Sequence, residues 1–372
     1  MTRVLISGAS IAGPTLAYWL LKAGHDVTLV EQAPAPRPGG QAIDIRGPAL
    51  DVIAAMGLGE RVAALRTHMK GMTVFDRAGN EIERSFERTA TGGRFDSGDV
   101  EIFRDDLAAL LREACGSGAR TLYGDTIIAM ETRSDGVTVM FRQSPPGVFD
   151  LVFGADGLHS KVRQITFGDD TPFLRPLGVA FAIWATPNFL DLEDWQLSFR
   201  DDTGGYAIYP TRDNRELRVN IGFALTPDEE RGLDLAARKA LIREQAATMG
   251  GPAPRVLETL DAVEDLYFGA LAQVRMPNWC RERIALVGDA GYCPSPFTGQ
   301  GTSLAIVGAF VLGSELARCG DDYAAAFSRY EARMRPFVLA NQDLLFRDRQ
   351  APDADELFNK AKTAINLVDL LD

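Results

Sequence analysis

Three short runs of this sequence combine small residues with carboxylates in spacings that can do chemistry. The first is Gly8-Ala9-Ser10-Ile11-Ala12-Gly13, followed eighteen residues later by Glu31 and then Gln32. In a G-x-G-x-x-G loop the first glycine makes a tight turn, the middle position lets backbone approach a pyrophosphate, and the last lets helix and strand pack closely. Ser10 stands at the middle position; it is small and adds a hydroxyl that can donate to phosphate. An acid at Glu31 suits the two hydroxyls of an adenosine ribose and disfavours a 2′-phosphate, so the pattern fits FAD or NAD better than NADP. The second run, "FGADGLHSKVR" (153–163), brings Asp156 and Gly157 to a strand end and offers a serine to cap a helix carrying Lys161 and Arg163. The third, "IALVGDAGYCPSPFTGQGTSLAI" (284–306), ends an apolar strand in Gly288-Asp289 and feeds a loop into a helix at Thr302–Ser303. A helix N-terminus carries unpaired N–H groups and about half a positive charge. It suits the anionic N1–C2=O edge of a reduced flavin, with Asp289 on the adjoining polyol hydroxyls.

These runs need a sheet to hold them. Residues 3–31 read strand, loop, helix, strand, with Pro14 in the first helical turn, where its missing N–H costs nothing. "APAPRPGG" (33–40) is a turn-rich loop and 47–65 a helix pair. Short strands follow from Met72, "RDDLAALLREACGSGA" is an amphipathic helix, and further strands lead to the second run. Residues 173–223 hold nine aromatics (Phe173, Phe181, Trp184, Phe189, Trp195, Phe199, Tyr206, Tyr209, Phe223), enough for an aromatic-walled layer. The expected fold is α/β: a Rossmann-like, discontinuous nucleotide domain (1–71, 97–172 and 270–322) and a mixed or antiparallel-sheet substrate domain (72–96 and 173–269). A C-terminal helical segment (323–372), interrupted at Pro336 and Pro352, completes it.

Composition narrows the partners. The 372 residues carry a formal charge of −12, with 46% hydrophobic and 24% charged residues. That balance disfavours nucleic acid and anionic membrane, and leaves neutral or cationic small molecules. No apolar run of about 20 residues marks a membrane span. Cys115, Cys280, Cys293 and Cys319 form no C-x-x-C pair, and His25, His68 and His159 are scattered, so neither a disulfide framework nor a metal site is expected and a cytoplasmic setting is.

The ordered trio of motifs resembles the single-component FAD-dependent aromatic-hydroxylase family, the para-hydroxybenzoate hydroxylase-like flavoprotein monooxygenases, including their tetracycline-inactivating branch. The resemblance spans roughly residues 3–340. It implies that the first loop binds the ADP part of FAD, that Asp156–Gly157 through Arg163 supports FAD and NAD(P)H, and that Gly288–Asp289 holds the ribityl chain. Pro296, Gly299, Gln300, Gly301 and Thr302 would then lie along the flavin, with Arg104 opening a helix that touches the cofactor and Arg46 in the segment beside the ring. It further implies reduction of FAD by NADPH or NADH, reaction with O2 to a C4a-hydroperoxyflavin, and oxygen transfer to an aromatic or polyketide-like small molecule, in a monomer or weak dimer. Trp184, Tyr206 and Arg212 are the candidates for touching substrate; no catalytic acid–base group stands out. The chain departs from the family pattern at Ser10, at Tyr292 (commonly His) and at Ser303 (often Asn), and Cys293 reads as a packed small residue. A halogenase or reductase of the same fold is one alternative, although "FAIWATP" lacks the halogenase W-x-W-x-I-P. A flavin-binding sensor or chaperone without turnover is the other.

Overall fold

The computed structural model describes residues 1–371 except 91–92, 201–203, 248 and 348–350. Arg3–Ser7 pairs in parallel with Asp26–Glu31 on one side and with Leu151–Gly154 on the other. The intervening Ala12–Lys22 helix buries Leu16, Ala17 and Leu20 against this sheet. Such crossovers cover a parallel sheet on both faces, which is why its strands read as unbroken apolar runs. Ile284–Leu286 returns from far along the chain to pair with Leu151–Gly154, and Ala119–Tyr123 closes the other side of the six-stranded sheet. All three motifs therefore leave the carboxyl ends of neighbouring strands, where open α/β sheets bind ligands.

A seven-stranded sheet faces this layer. Its order is Tyr267–Val274, Leu174–Pro187, Glu216–Ala224, Gly204–Pro210, Trp195–Arg200, Gly71–Phe75 and Glu81–Ser85. Tyr267–Val274 runs unbroken past residue 270, where the sequence put a domain boundary. The outer face of this sheet forms its own core with helices Leu235–Ala246 and Ala253–Thr259: Trp184, Tyr206, Ile208, Val219 and Phe223 meet Ile242, Val256 and Leu260.

Two long helices complete the molecule. Gly301–Cys319 is long and apolar enough to cross a bilayer, yet 72% of its apolar window is buried, packed on the opening helix and on Tyr323–Asp343. The expected interruption at Pro336 does not occur: Tyr323–Asp343 runs straight through it. Pro336 faces solvent, so the carbonyl it leaves unbonded is hydrated, while Met334, Phe337 and Val338 bury the opposite side.

Candidate active site

Three glycines fix the nucleotide loop. Gly8 has φ +103°, and a Cβ on it would lie 2.3 Å from the Ala155 carbonyl oxygen; one on Gly13 would lie 1.9 Å from the Gly8 carbonyl oxygen. Gly288, with φ +66°, would place a Cβ 3.1 Å from that of Ala12 and 3.4 Å from that of Ala305. At Gly288 the start of the opening helix, the 284–306 run and the start of the long apolar helix come together, leaving room for a ligand's backbone and none for side chains.

The Ala12–Lys22 helix has no side-chain cap, so its first N–H groups stay available to an anion. Arg104 reaches to 3.5 Å from Ser10 Oγ. Beyond it a cleft is lined by Ala9, Ser10, Glu31, Arg37, Arg104, Ala108, Arg112 and Tyr123. It adjoins a cavity of about 340 Å³ between the Ala12–Lys22 and Arg104–Cys115 helices, bordered by Pro14, Leu29 and Thr121. Burial, then repulsion from Arg37, lowers the pKa of Arg104, a strain that a pyrophosphate would relieve. Glu31 is pre-aimed: its carboxylate accepts from Ala9 N (3.0 Å) and Ala33 N (2.9 Å) and keeps lone pairs for ribose hydroxyls. Gln32 is exposed beside it. Arg37 and Arg112 escaped the sequence reading, although Arg112 stands two helical turns beyond Arg104, with Ala108 between them on the same face.

The other end is built around Asp289 and the loop before Gly301. Asp289 is half-buried at the start of a short turn of helix, and burial raises its pKa against the opposing hydrogen bond from the Cys293 thiol. Cys293 itself is pushed far up, by burial first and by Asp289 second, so it stays a thiol and no nucleophile. Gly299 takes the left-handed conformation (φ +64°) and Gly301 backs onto Asp289, with a Cβ there 3.9 Å from its Oδ1. Pro296 is exposed at this edge, while Gly299, Gly301 and Thr302 are partly exposed. The Gly301–Cys319 helix also lacks a side-chain cap. Beside its start, the Gln300 amide is fully buried, and among the described residues neither its nitrogen nor its oxygen finds a hydrogen-bond partner. A buried orphan amide next to uncapped helix donors fits a polar heteroaromatic edge such as the pyrimidine of a flavin.

Other motif residues turn out to hold the site instead of facing it. The Asp156 carboxylate accepts from Ser160 Oγ (2.5 Å), Lys161 N (2.9 Å), Val162 N (3.2 Å) and Ser7 Oγ (3.2 Å), closing the first turn of the Lys161–Phe167 helix from outside it. Gly157, with φ +80°, makes the preceding turn. Arg163 is fully buried and donates to Ala290 O, Leu158 O and Asp170, tying the second run to the third. Arg46, 5% exposed, donates from Nε to Gly299 O (3.1 Å), pairs with Asp44 (2.9 Å) and Asp99 (3.2 Å), and donates its backbone N–H to Ser303 Oγ (2.9 Å). Asp99 also pairs with Lys362 at 3.1 Å. Ser303, a departure from the family pattern, is thus a strut between the Arg46 segment and the 299–303 turn. Tyr292 has a similar explanation: it fills the space above Gly308 and meets the Tyr330 hydroxyl at 3.0 Å.

The three substrate candidates need correction. Trp184 is 1% exposed in the outer core, its Nε1 donating to Thr259 Oγ1 (3.1 Å). Tyr206 stacks on Phe199 and donates to Gly250 O in the same layer. Arg212 pairs with Asp106 (2.9 Å) and donates to Leu65 O, bridging the two layers. Strand alternation is the reason: with 180, 182 and 184 outward, 181 and 183 turn inward. On that inner face the Phe181 ring stands edge-on to Phe297 of the loop before Gly301, centroids 5.4 Å apart. Ile183, Asn220, Gly222 and Tyr267 share the face by register. The inner face is docked at its far side by Tyr209, whose hydroxyl accepts from Ala42 N, and by Arg218, which donates to Gly40 O.

The FAD-binding-domain family model matches residues 1–343. The chain belongs to the FAD-dependent monooxygenases. A flavin-dependent monooxygenase from an unknown prokaryotic organism is 39% identical over 341 residues, covering 91% of this chain and 87% of that relative. Rv1260 of Mycobacterium tuberculosis is 42% identical over 371 residues, covering 99% and 100%. Among solved structures, tetracycline destructase Tet(55) superposes with a TM-score of 0.86 at 35% identity, covering 99% of this chain and 98% of that one. Tetracycline destructase Tet(51) gives 0.89 at 30% identity, covering 100% and 99%. FAD is accordingly the cofactor of this monooxygenase.

Proposed function

We propose that this monooxygenase uses NADH or NADPH and O2 to insert one oxygen atom into an electron-rich aromatic or polyketide-like ring held between the flavin loop and the inner sheet face. The observation carrying this reading is the loop before Gly301, which brings an uncapped helix start and the buried Gln300 amide next to Phe297, whose ring meets Phe181 on the face shared by register with Ile183, Asn220 and Tyr267. FAD, when bound, supplies the two-electron chemistry and the activation of O2. The protein's own part is binding, orientation and exclusion of water. Ser10, Arg104 and the free N–H groups of the opening helix hold the pyrophosphate, Glu31 the ribose and Asp289 the polyol. The start of the Gly301–Cys319 helix stabilises negative charge on the ring. Phe181 and Phe297 close the apolar side of the chamber, which keeps water from competing for the oxygen. Gly157 and Arg163 act on the cofactor through the backbone they support, and Arg46 through the 299–303 turn.

The test is NAD(P)H consumption by the FAD-loaded protein with a panel of phenols and fused-ring polyketides, tetracycline among them, with mass spectrometry for a product heavier by one oxygen atom. Stimulated consumption with that product supports the reading. A yellow protein that consumes neither NAD(P)H nor O2 with any of them refutes it.

A further inference from the structure

The inner sheet face is apolar apart from a few positions, and one of them is built in an unusual way. Tyr267 and Gly269 lie opposite Ile183 and Phe181 in the antiparallel register, on the face that meets Phe297. At Gly269 the wall is bare backbone. A Cβ added there would stand 3.8 Å from Tyr267 Oη and 3.8 Å from Glu230 Oε1, so a phenol and a carboxylate oxygen flank the same uncovered spot. Glu230 comes from a separate element, the Pro227–Glu230 turn of helix, and its other oxygen accepts from Ala270 N at 2.9 Å. That bond satisfies an edge-strand donor and fixes the carboxylate, leaving Oε1 on the side of the strand that a Gly269 Cβ would face. Tyr267 is 45% exposed. Its hydroxyl is nonetheless pushed up to about 12, by burial first and further by the carboxylates of Asp289 and Glu230.

We propose that Glu230 and Tyr267 form the specificity-determining polar contact of the substrate chamber, selecting a ring that bears a neutral hydroxyl group, a phenol or an enol, at the position over Gly269. The substrate O–H donates to Glu230 Oε1, and the Tyr267 hydroxyl donates back to the substrate oxygen. The same carboxylate repels a ring carrying a carboxylate at that position, so the contact selects and rejects at once. An acceptor fixed in this way also raises electron density on the ring carbon beside the hydroxyl, the property an electron-poor oxygen donor requires. The inference rests on the monooxygenase reading for the identity of this wall as the substrate wall.

The test uses the FAD-loaded full chain and a matched pair of probes, 1-naphthol and 1-methoxynaphthalene, titrated through the perturbation of flavin absorbance with no NAD(P)H present. A hydrogen bond to a charged group should favour the naphthol by about ten- to a hundredfold. Glu230→Gln keeps an oxygen for Ala270 N–H and turns an NH2 donor toward the chamber, so the ratio should fall to about one or invert in favour of the ether. Tyr267→Phe should lower it several-fold. Both variants are expected to keep the wild-type melting temperature and flavin content, since neither residue lies in a core. Equal affinity for the two probes in the wild type, no binding of 1-naphthol, or a ratio unmoved by either substitution overturns the proposal. A protein that discriminates the probes but never oxygenates a substrate keeps this inference and loses the monooxygenase reading; one that oxygenates naphthol without discriminating does the reverse.

Discussion

Replacing Arg163 with methionine tests whether the second motif is a girder for the site. Its guanidinium is fully buried and donates to Asp170 Oδ1 (2.8 Å), Ala290 O (2.8 Å) and Leu158 O (2.7 Å). Methionine matches the length of the stem and donates nothing. The substitution leaves two carbonyls unpaired, each costing about 1–3 kcal/mol when water cannot reach it. Asp170 fares better, because Gln164 Nε2 still donates to its other oxygen at 2.8 Å. Together the expected loss is about 3–5 kcal/mol, the range for breaking a buried charged pair from one side. Against a usual total of 5–15 kcal/mol that is a large fraction. Urea unfolding of the apo-protein, followed by tryptophan fluorescence, reads the loss directly, and flavin fluorescence quenching reads FAD affinity. Affinity should fall as well, because Ala290 follows Asp289 and the lost bond frees that turn. Arg163→Lys should lie between the two in both assays. Apo-stability within 1 kcal/mol of wild type for the methionine variant would show that the network is ornamental and that the reasoning from buried partners fails.

Three further predictions rest on separate features. Burial raises the Asp44 carboxyl from 3.8 to about 6 against the pull of Arg46, with Asp99 adding repulsion. The folded state therefore binds this proton more tightly than the unfolded one; the stability it contributes is complete below pH 3.8 and is lost as pH rises through 6. The stability of Asp44→Asn relative to wild type should therefore climb between pH 4 and 6.5 in urea titrations, and a flat difference refutes the assignment. Gly308→Ala would put a methyl 1.9 Å from the Tyr292 hydroxyl oxygen. A loss of about 1–3 kcal/mol is expected, partly restored by adding Tyr292→Phe; an unchanged melting temperature sinks the steric account. Asp289→Ala should weaken FAD binding about ten- to a hundredfold by equilibrium dialysis while the apo-protein unfolds as before, and undiminished flavin content would remove Asp289 from the polyol site.

The nucleotide loop, the Gly288–Asp289 turn and the parallel sheet were legible because each imposes a local demand: a small residue where backbone crowds backbone, an acid at a strand end, an apolar run where both faces are covered. The substrate wall was not. Strands 174–187 and 204–210 carry apolar or aromatic residues on both faces, so Trp184 and Phe181 give the same sequence signal, and only the helices on the outer side decide which face turns inward. Tyr292 illustrates a second limit. Its fit depends on Gly308, sixteen residues on, and on Tyr330 in another helix, and no local pattern connects the three. Arg163 and Asp156 illustrate a third: residue type placed them near the cofactor, while hydrogen-bond accounting assigns them to the frame.

The parallel sheet is assembled out of order, with Ile284–Leu286 slotting beside Leu151–Gly154 and Asp289 following at once. As the polypeptide emerges during translation, the Leu151–Gly154 edge must wait through some 130 residues of intervening chain before its neighbour is made. Throughout that interval an apolar strand flank lies bare, open to pairing with other nascent chains. The half-site for the adenosine moiety exists early and the ring's half only near the end, so prosthetic-group capture closes the ribosomal folding programme and cannot guide its beginning.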